Sequence, residues 1–402
     1  MTYEELARST GMEQCVDCAR CTNRCPVATV DRRFDLSKLA SAALAGSLDG
    51  PAATYTLWRC LACGACLDAC PGPAPRLGVF MLACRTLARQ DGYDPPLPYW
   101  GAMAEAQELS VQPAAEEPSD ANEPCEAVLV TGGAVWWDDI VDRHLGVAAK
   151  QDIDAATALL RAAGIDAHVL DHEPDSGADL AWIGDAQGFV RHVSALTDAL
   201  LQSGAKSVIT LDRETHRALT EGISARGIDF DLPVHHIADV LAQAITEGRI
   251  ALLETDRTIA VYEEPAPTHT NFGSDPAEAS AKPTWSLAAL MELVPGLKTV
   301  DLSGPDRPDP NADGPMPKQK RGAPPTCGIR GFSVCAPFAA RLQERLLQAV
   351  TQVDATVLVA PDPTSAAHLR CAAKEGAWAR SRISVFTPAQ FLLDHIAPQV
   401  QE

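Results

Sequence analysis

Long apolar runs are missing from this sequence. No stretch reaches the roughly eighteen apolar residues that a membrane-crossing helix needs, so the chain is not expected to span a bilayer directly. Also missing is a basic start followed by an apolar core. The first residues, MTYEELARSTGMEQC, are acidic, which speaks against a secretory leader and for a cytoplasmic protein. Positive charge is in deficit: 33 Lys and Arg face 53 Asp and Glu, a net charge of −20. Such a chain repels phosphates and anionic lipid heads, which argues against nucleic acid and other polyanions as partners. A disulfide scaffold is out of place too, because thirteen cysteines in a large leaderless chain suit thiolates kept reduced.

What the sequence does have is enough apolar residue, 46% of 402 positions, to fill the cores of two or three domains. Eight cysteines crowd between Cys15 and Cys70, while Cys84, Cys125, Cys327, Cys335 and Cys371 are scattered. The crowding marks an N-terminal module, residues 1–110. The acid- and Pro-rich stretch VQPAAEEPSDANEP follows, with no apolar period, and reads as a linker over 111–124. From Ala127 short apolar strands alternate with amphipathic helices, the pattern of parallel α/β structure: AVLV, ATALLRAAG, AHVL, VRHVSALTDALLQSG, SVITLD. A similar order recurs in TIAVYEEP, WSLAALMELVPG, TVDLSG, FAARLQERLLQAV and TVLVAPDP. The expected architecture is α+β multidomain, with duplicated α/β domains at 125–250 and 256–402. Ser303 to Pro325, polar and Pro-rich, reads as a long loop in the second copy.

The crowded cysteines form one motif twice. Cys15, Cys18, Cys21 and Cys25 precede Pro26; Cys60, Cys63, Cys66 and Cys70 precede Pro71. Both read C-x-x-C-x-x-C-x-x-x-C-P. Three closely spaced thiolates can hold three corners of a 4Fe-4S cubane, while the fourth, followed by proline, typically ligates the other cluster. By that rule one cluster takes Cys15, Cys18, Cys21 and Cys70, and the second takes Cys60, Cys63, Cys66 and Cys25. Zinc also favours C-x-x-C pairs, but a tetrahedral site has no use for a third cysteine at the same interval. Between the motifs, DRRFDLSKLASAALAGSLDG has Leu and Ala at helical spacing and a glycine stop, so the module is expected to be a helical ferredoxin. RLGVFMLACRTLARQ is expected to be its last helix, with Cys84 as a small buried residue.

The second motif as it stands, WRCLACGACLDACP, followed by the repeated α/β pattern, resembles the cysteine-rich iron-sulfur subunits of the heterodisulfide reductase family. That family includes the anaerobic glycerol-3-phosphate dehydrogenase C subunit and lactate-utilisation proteins. The resemblance implies that each α/β repeat once carried cysteines for a further cluster. Here those places hold other residues. Gly133 stands after the first strand, Asp175, Ser176 and Gly177 match the Cys-Cys-Gly turn, and Asp212 and Thr215 match the third site. In the second repeat Ala266, Ala360 and Pro363 stand in ligand places, and only Cys327 of a pair is kept.

Other candidates are weaker. His235 and His236 are neighbours on an extended segment, so their side chains point to opposite faces, one packed and one exposed. His269, Asn271, Glu263 and Glu264 have no partner motif. The glycines of VTGGAV could let a phosphate or flavin approach, yet a tight turn explains them equally well; Trp136 and Trp137 follow them. The leading reading is an electron-transfer subunit with two 4Fe-4S clusters and no catalytic residue of its own. It would relay electrons in a larger oxidoreductase with partners expected from the resemblance: a flavoprotein, a cysteine-rich subunit with intact ligands, or a membrane quinone-reactive subunit. It would sit in the cytoplasm or at the inner membrane through a partner. The alternative is a catalytic reductase with a non-standard cofactor or substrate site in the α/β repeats.

Overall fold

The computed structural model describes residues 1–48, 51–66, 69–70, 77–98, 100–112, 125–134, 149–263, 286–302, 335–374 and 382–398. Pro71, Trp136, Trp137, Glu264, Ala266, His269, Asn271, Cys327, the loop Ser303 to Pro325 and most of the linker lie outside them.

Among the described residues up to 112 the secondary structure is helical: α1 (Tyr3–Ser9), α2 (Arg20–Arg24), α3 (Pro26–Val30), α4 (Leu36–Leu44), α5 (Pro51–Leu57), α6 (Leu77–Gln90) and α7 (Trp100–Ser110). Local chemistry sets the ends. Thr2 and Glu5 form a reciprocal capping box on α1. Asp35 caps α4 by accepting the Ser37 N–H at 3.0 Å, and Gly46, at φ 82°, follows its last turn. Helix α6 buries Leu77, Phe80, Met81, Cys84, Arg85 and Ala88, a stripe at helical spacing, so Cys84 packs as a small apolar residue. It is not the last helix: α7 follows, and the sequence concealed it because Trp100, Met103 and Gln107 are buried on one weakly apolar face after a Pro-rich turn.

Beyond the linker come β1 (Ala127–Val130), α8 (Lys150–Ala162), β2 (Ala167–Val169), α9 (Ala178–Ile183), α10 (Ala186–Gln202), β3 (Ser207–Thr210), α11 (Arg213–Arg217), β4 (Val234–His236) and α12 (Ile237–Thr246). The four strands make a parallel sheet in the order β2-β1-β3-β4. The remainder comprises β5 (Thr258–Val261), α13 (Leu287–Met291), β6 (Lys298–Asp301), α14 (Pro337–Gln352), β7 (Val357–Val359), α15 (Pro363–Lys374), β8 (Ser384–Phe386) and α16 (Pro388–Leu393). Its strands make a second parallel sheet in the order β6-β5-β7-β8. Both sheets thus place their first strand second from one edge.

Alternation along the strands assigns each sheet face to a different core. Val128, Val130 and Val208 belong to a core continuous with the N-terminal helices, containing Phe34, Trp58, Phe80 and Trp182. Leu129 and Ile209, one residue out of phase, join Ile259, Val261, Val357 and Val359 in a core between the two sheets. Ala260 and Leu358 face a third core under α14. A buried ion pair locks the sheets' helices together: Arg370 donates to both carboxylate oxygens of Asp152 at 2.9 and 3.0 Å, and the Thr387 hydroxyl donates to the same carboxylate at 2.8 Å.

Candidate functional site

The two cysteine motifs begin on the same local path. In each, the second and fourth residues after the leading cysteine are left-handed: Asp17 (φ 50°) and Ala19 (φ 55°) in the first, Ala62 (φ 47°) and Gly64 (φ 73°) in the second. Three of these four are not glycine, so the conformation costs about 1–2 kcal/mol at each and persists because the loop is held from outside. Left-handed residues turn backbone N–H groups inward, towards sulfur. Cys60 Sγ accepts the Ala62 N–H at 3.3 Å. The first motif ends by opening a helix: Cys25 stands at the N-cap position of α3 with Pro26 at its first position, where a missing N–H is harmless.

Cys15, Cys18, Cys21 and Cys70 line one cavity of about 280 Å³, together with Met12, Leu36, Ala40 and Leu77. Three of these thiols come from the first motif and one from the second. The Cys21 thiol is pushed up, first by burial and further by Cys15 and Cys70. The other set is grouped in the same crossed way. Burial pushes the Cys25 thiol well above its ordinary range, and the next contributors to its rise are Cys63, with Cys60 and Cys66 behind it. Cys66 is raised by burial, then by Cys60, Cys63 and Cys21. Crowded thiols of this kind resist ionising together unless a cation joins them, and iron is such a cation. Among the described residues no three His, Cys, Asp or Glu side chains are grouped as a single metal ion requires. The four-thiol cavity instead has room for a multi-atom cluster.

Exposure differs between the sets. Cys15 and Cys18 are exposed, whereas Cys25 is buried and Cys60, Cys63 and Cys66 are partly covered. Over the second set lies a residue that sequence reasoning passed over. Arg85, on the buried stripe of α6, donates to the Leu57 carbonyl at 2.9 and 3.1 Å, to the Cys60 carbonyl at 2.6 Å and to the Trp182 carbonyl at 2.8 Å. Burial pulls its pKa down from the arginine range. Its signal in the sequence was a lone arginine on an otherwise apolar helical stripe. The approach of α6 to α9 is tight enough that a Cβ on Gly184 would lie 2.5 Å from the Thr86 nitrogen.

A second polar cluster lies at the carboxyl ends of β1 and β3, the switch point of the first sheet, where parallel α/β folds commonly bind ligands. The N–H groups of Thr131, Gly132 and Gly133 converge on the Glu173 carboxylate at 2.7, 2.9 and 3.4 Å. That carboxylate fills the place a phosphate would take, which answers the flavin or nucleotide reading of VTGGAV. Asp212 caps α11 through the Thr215 N–H at 2.8 Å, and the Thr215 hydroxyl donates to Ser176 at 3.3 Å. Polar side chains therefore meet where the family resemblance places thiolates. Burial pushes both Glu173 and Asp212 up to about 7. Asp212 is half-buried as a residue, but its Oδ2 is sealed against Gly132 without a hydrogen-bond partner. In the second unit Asp362 caps α15 through the Ser365 N–H at 2.8 Å. Asp362 and Ser365, two residues beyond Ala360 and Pro363, thus pair in the same way as Asp212 and Thr215. His235 is exposed, while His236 turns inward, caps α12 through the Ala238 N–H at 3.3 Å, and is driven down to about 3 by burial.

Comparison with known proteins fits this arrangement. Residues 11–73 match the family described as a 4Fe-4S dicluster domain. Over 302 residues the chain is 24% identical to a "Probable membrane-anchored ferredoxin" of Chromohalobacter salexigens, covering 63% of this chain and 44% of that protein. Over 89 residues it is 29% identical to a protein of Archaeoglobus profundus described as resembling the C subunit of heterodisulfide reductase, covering 21% of this chain and 47% of that protein. The chain spans under half the length of either curated relative. A solved structure titled "Crystal structure of a hypothetical protein from Helicobacter pylori" superposes with a TM-score of 0.54 at 10% identity, over 88% of this chain and 63% of that one, and so shares the fold alone. Among the described residues no helix is long and apolar enough to cross a membrane. The paired cysteine motifs and these matches make this chain an iron-sulfur protein similar to heterodisulfide reductase C-like proteins, with a 4Fe-4S dicluster domain at residues 11–73.

Proposed function

We propose that the chain is an electron-relay subunit of a larger oxidoreductase, with Cys15, Cys18, Cys21 and Cys70 holding one 4Fe-4S cluster and Cys60, Cys63, Cys66 and Cys25 holding the other. The observation that carries this reading is the single cavity lined by three thiols of the first motif and the last thiol of the second. Each cluster, when bound, exchanges one electron at a time and offers substrate no open iron site. The protein supplies the rest. A left-handed residue aims the Ala62 N–H at the Cys60 sulfur, the burial of Cys25 excludes water there, and Arg85 sets a fixed positive charge beside Cys60. The shared influence of Cys21 on Cys66 supports close spacing of the two sets.

The two α/β units, with their matching strand orders, are read as copies of one ancestral unit that lost its cluster ligands and became a docking scaffold. Partners would be a flavoprotein, an intact cysteine-rich subunit or a membrane quinone-reactive subunit, and the chain would work in the cytoplasm or at the inner membrane through such a partner. The test is anaerobic iron and acid-labile sulfide analysis with low-temperature EPR before and after dithionite, on the wild type and single Cys→Ser variants. About eight irons per chain are expected. Cys25→Ser should disturb the same signal as Cys63→Ser, and Cys70→Ser the same signal as Cys18→Ser. About twelve irons, or turnover of a disulfide or quinone by the isolated chain, would return catalysis to this protein and sink the relay reading.

A further inference from the structure

The port through which electrons enter or leave can be located from exposure and charge. Cys15 and Cys18 are exposed, and Val16 between them is 76% exposed, whereas in the second set Cys25 is buried and Cys60, Cys63 and Cys66 are partly covered. The loop Cys15 to Cys21 is thus the more open approach to the cysteines for a redox partner.

The charge around that loop runs against the rest of the chain. Between Arg20 and Lys38 there are five cations, Arg20, Arg24, Arg32, Arg33 and Lys38, against two acids. The two acids offset part of this, Asp31 through its ion pairs with Arg33 and Arg341 and Asp35 through Lys38 at 3.6 Å, which leaves a surplus of three cations, five minus two, over this stretch. These contacts also tie the patch together. Thr22 to Asp35 joins α2 to α4, and Arg345, donating to the Thr29 carbonyl at 3.0 Å, brings the middle of α14 alongside α3. Arg20, Arg32, Arg33, Lys38 and Arg341 are exposed. Against them stand Glu344 and, at the loop itself, Asp17; Glu13 is paired with Arg8 at 3.3 Å. The net charge of −20 does not cancel this island for a docked protein, because exposed charges more than about 8–10 Å away are screened at physiological salt.

We infer that the face formed by the Cys15–Cys21 loop, α2, α3 and the start of α4 docks a small acidic electron-carrier protein of the flavodoxin or ferredoxin class, with Val16 as the apolar centre and Arg20, Arg32, Arg33 and Lys38 as the cationic rim. Apolar centres with charged rims suit transient redox encounters, in which the rim guides approach and release stays fast. This rests on the relay reading and adds which cluster is the port and what charge its partner bears.

The test uses the full-length holoprotein and oxidised flavodoxin as probe, with carboxyl-amidated flavodoxin as the neutral control and vesicles of anionic lipid as the competing surface. Binding by calorimetry should weaken as salt rises, be absent for the amidated carrier, and fall about tenfold or more in the triple variant Arg20→Glu, Arg32→Glu, Lys38→Glu. Iron content and the dithionite-reduced EPR signal should stay as in wild type; Arg20→Gln with Arg32→Gln provides a milder pair should the reversal disturb folding. Equal binding of both carriers, or no loss on reversal, overturns the inference. So does binding to anionic vesicles that the reversal abolishes while the carrier is untouched, which would make the patch a membrane contact. Clusters that dithionite cannot reduce would sink the relay reading itself, whereas reducible clusters with no docking would sink only this inference.

Discussion

Arg85 carries its charge into a place where water cannot follow. A buried guanidinium persists only with its donors satisfied, and three main-chain carbonyls on two parts of the fold satisfy it. The same contacts fix the strand of chain leading into the second cysteine loop. Arg85→Lys keeps the charge and loses the fork, while Arg85→Gln loses both. In potentiometric EPR titration Arg85→Gln is expected to shift one of the two clusters to a more negative potential by on the order of 50 mV, because a nearby fixed cation favours the reduced, more negative state. Arg85→Lys should leave that potential nearly in place while lowering thermal stability. Equal shifts in both variants would show that packing, not charge, sets the potential.

At the scale of elements, the switch point of the first sheet stores a pH dependence. Asp212 ionises near 7 in the fold and near its ordinary 3.8 when unfolded, so between those values the folded state holds the extra proton. Stability from this group is therefore full at acid pH, declines as pH rises through that window, and levels off above about 7; Glu173, raised to about 7 as well, acts in the same direction. Asp212→Asn keeps the cap on the Thr215 N–H and removes the titration. It should flatten the slope and gain on the order of 2 kcal/mol at pH 8, measured by urea unfolding across pH 5 to 8. An unchanged slope would mean that water reaches Oδ2. Strands β1, β2, β3, β5, β6 and β7 were legible as apolar runs between amphipathic helices. Strand β4 was read only as an extended segment at His235 and His236, and β8 was passed over; pairing with β3 and β7 defines them.

The whole molecule is less divisible than its sequence. A cysteine-rich module, a linker and two α/β repeats read as separate parts. Yet one core runs from Leu6 through Trp58 and Phe80 into Val130, Trp182 and Phe189 and on to Phe338 and Leu342 of α14. Residues 125–402 expressed alone would present Trp182 and Ala181 to water where α6 now packs, and burying one large side chain is worth about 1.5–3 kcal/mol. That fragment should bind a hydrophobic dye and associate in sedimentation velocity, whereas the full chain should do neither. A monomeric, cooperatively unfolding fragment would show that the shared core is dispensable.

The sequence by itself determined the chemistry near the N-terminus, because ligand spacing is a local property: two C-x-x-C-x-x-C-x-x-x-C-P runs point to iron-sulfur clusters before any fold is known. Local, too, were the helix caps at Thr2 and Asp35 and the strand-helix alternation. Only the tertiary structure decided what depends on residues far apart in the chain. Arg85 meets Trp182 ninety-seven residues later, Arg370 meets Asp152, Glu173 fills the turn at Gly132, and Cys70 shares a cavity with Cys15. Such pairings are fixed by the burial of apolar faces, which carries their polar groups into contact, and no periodicity within either segment records them.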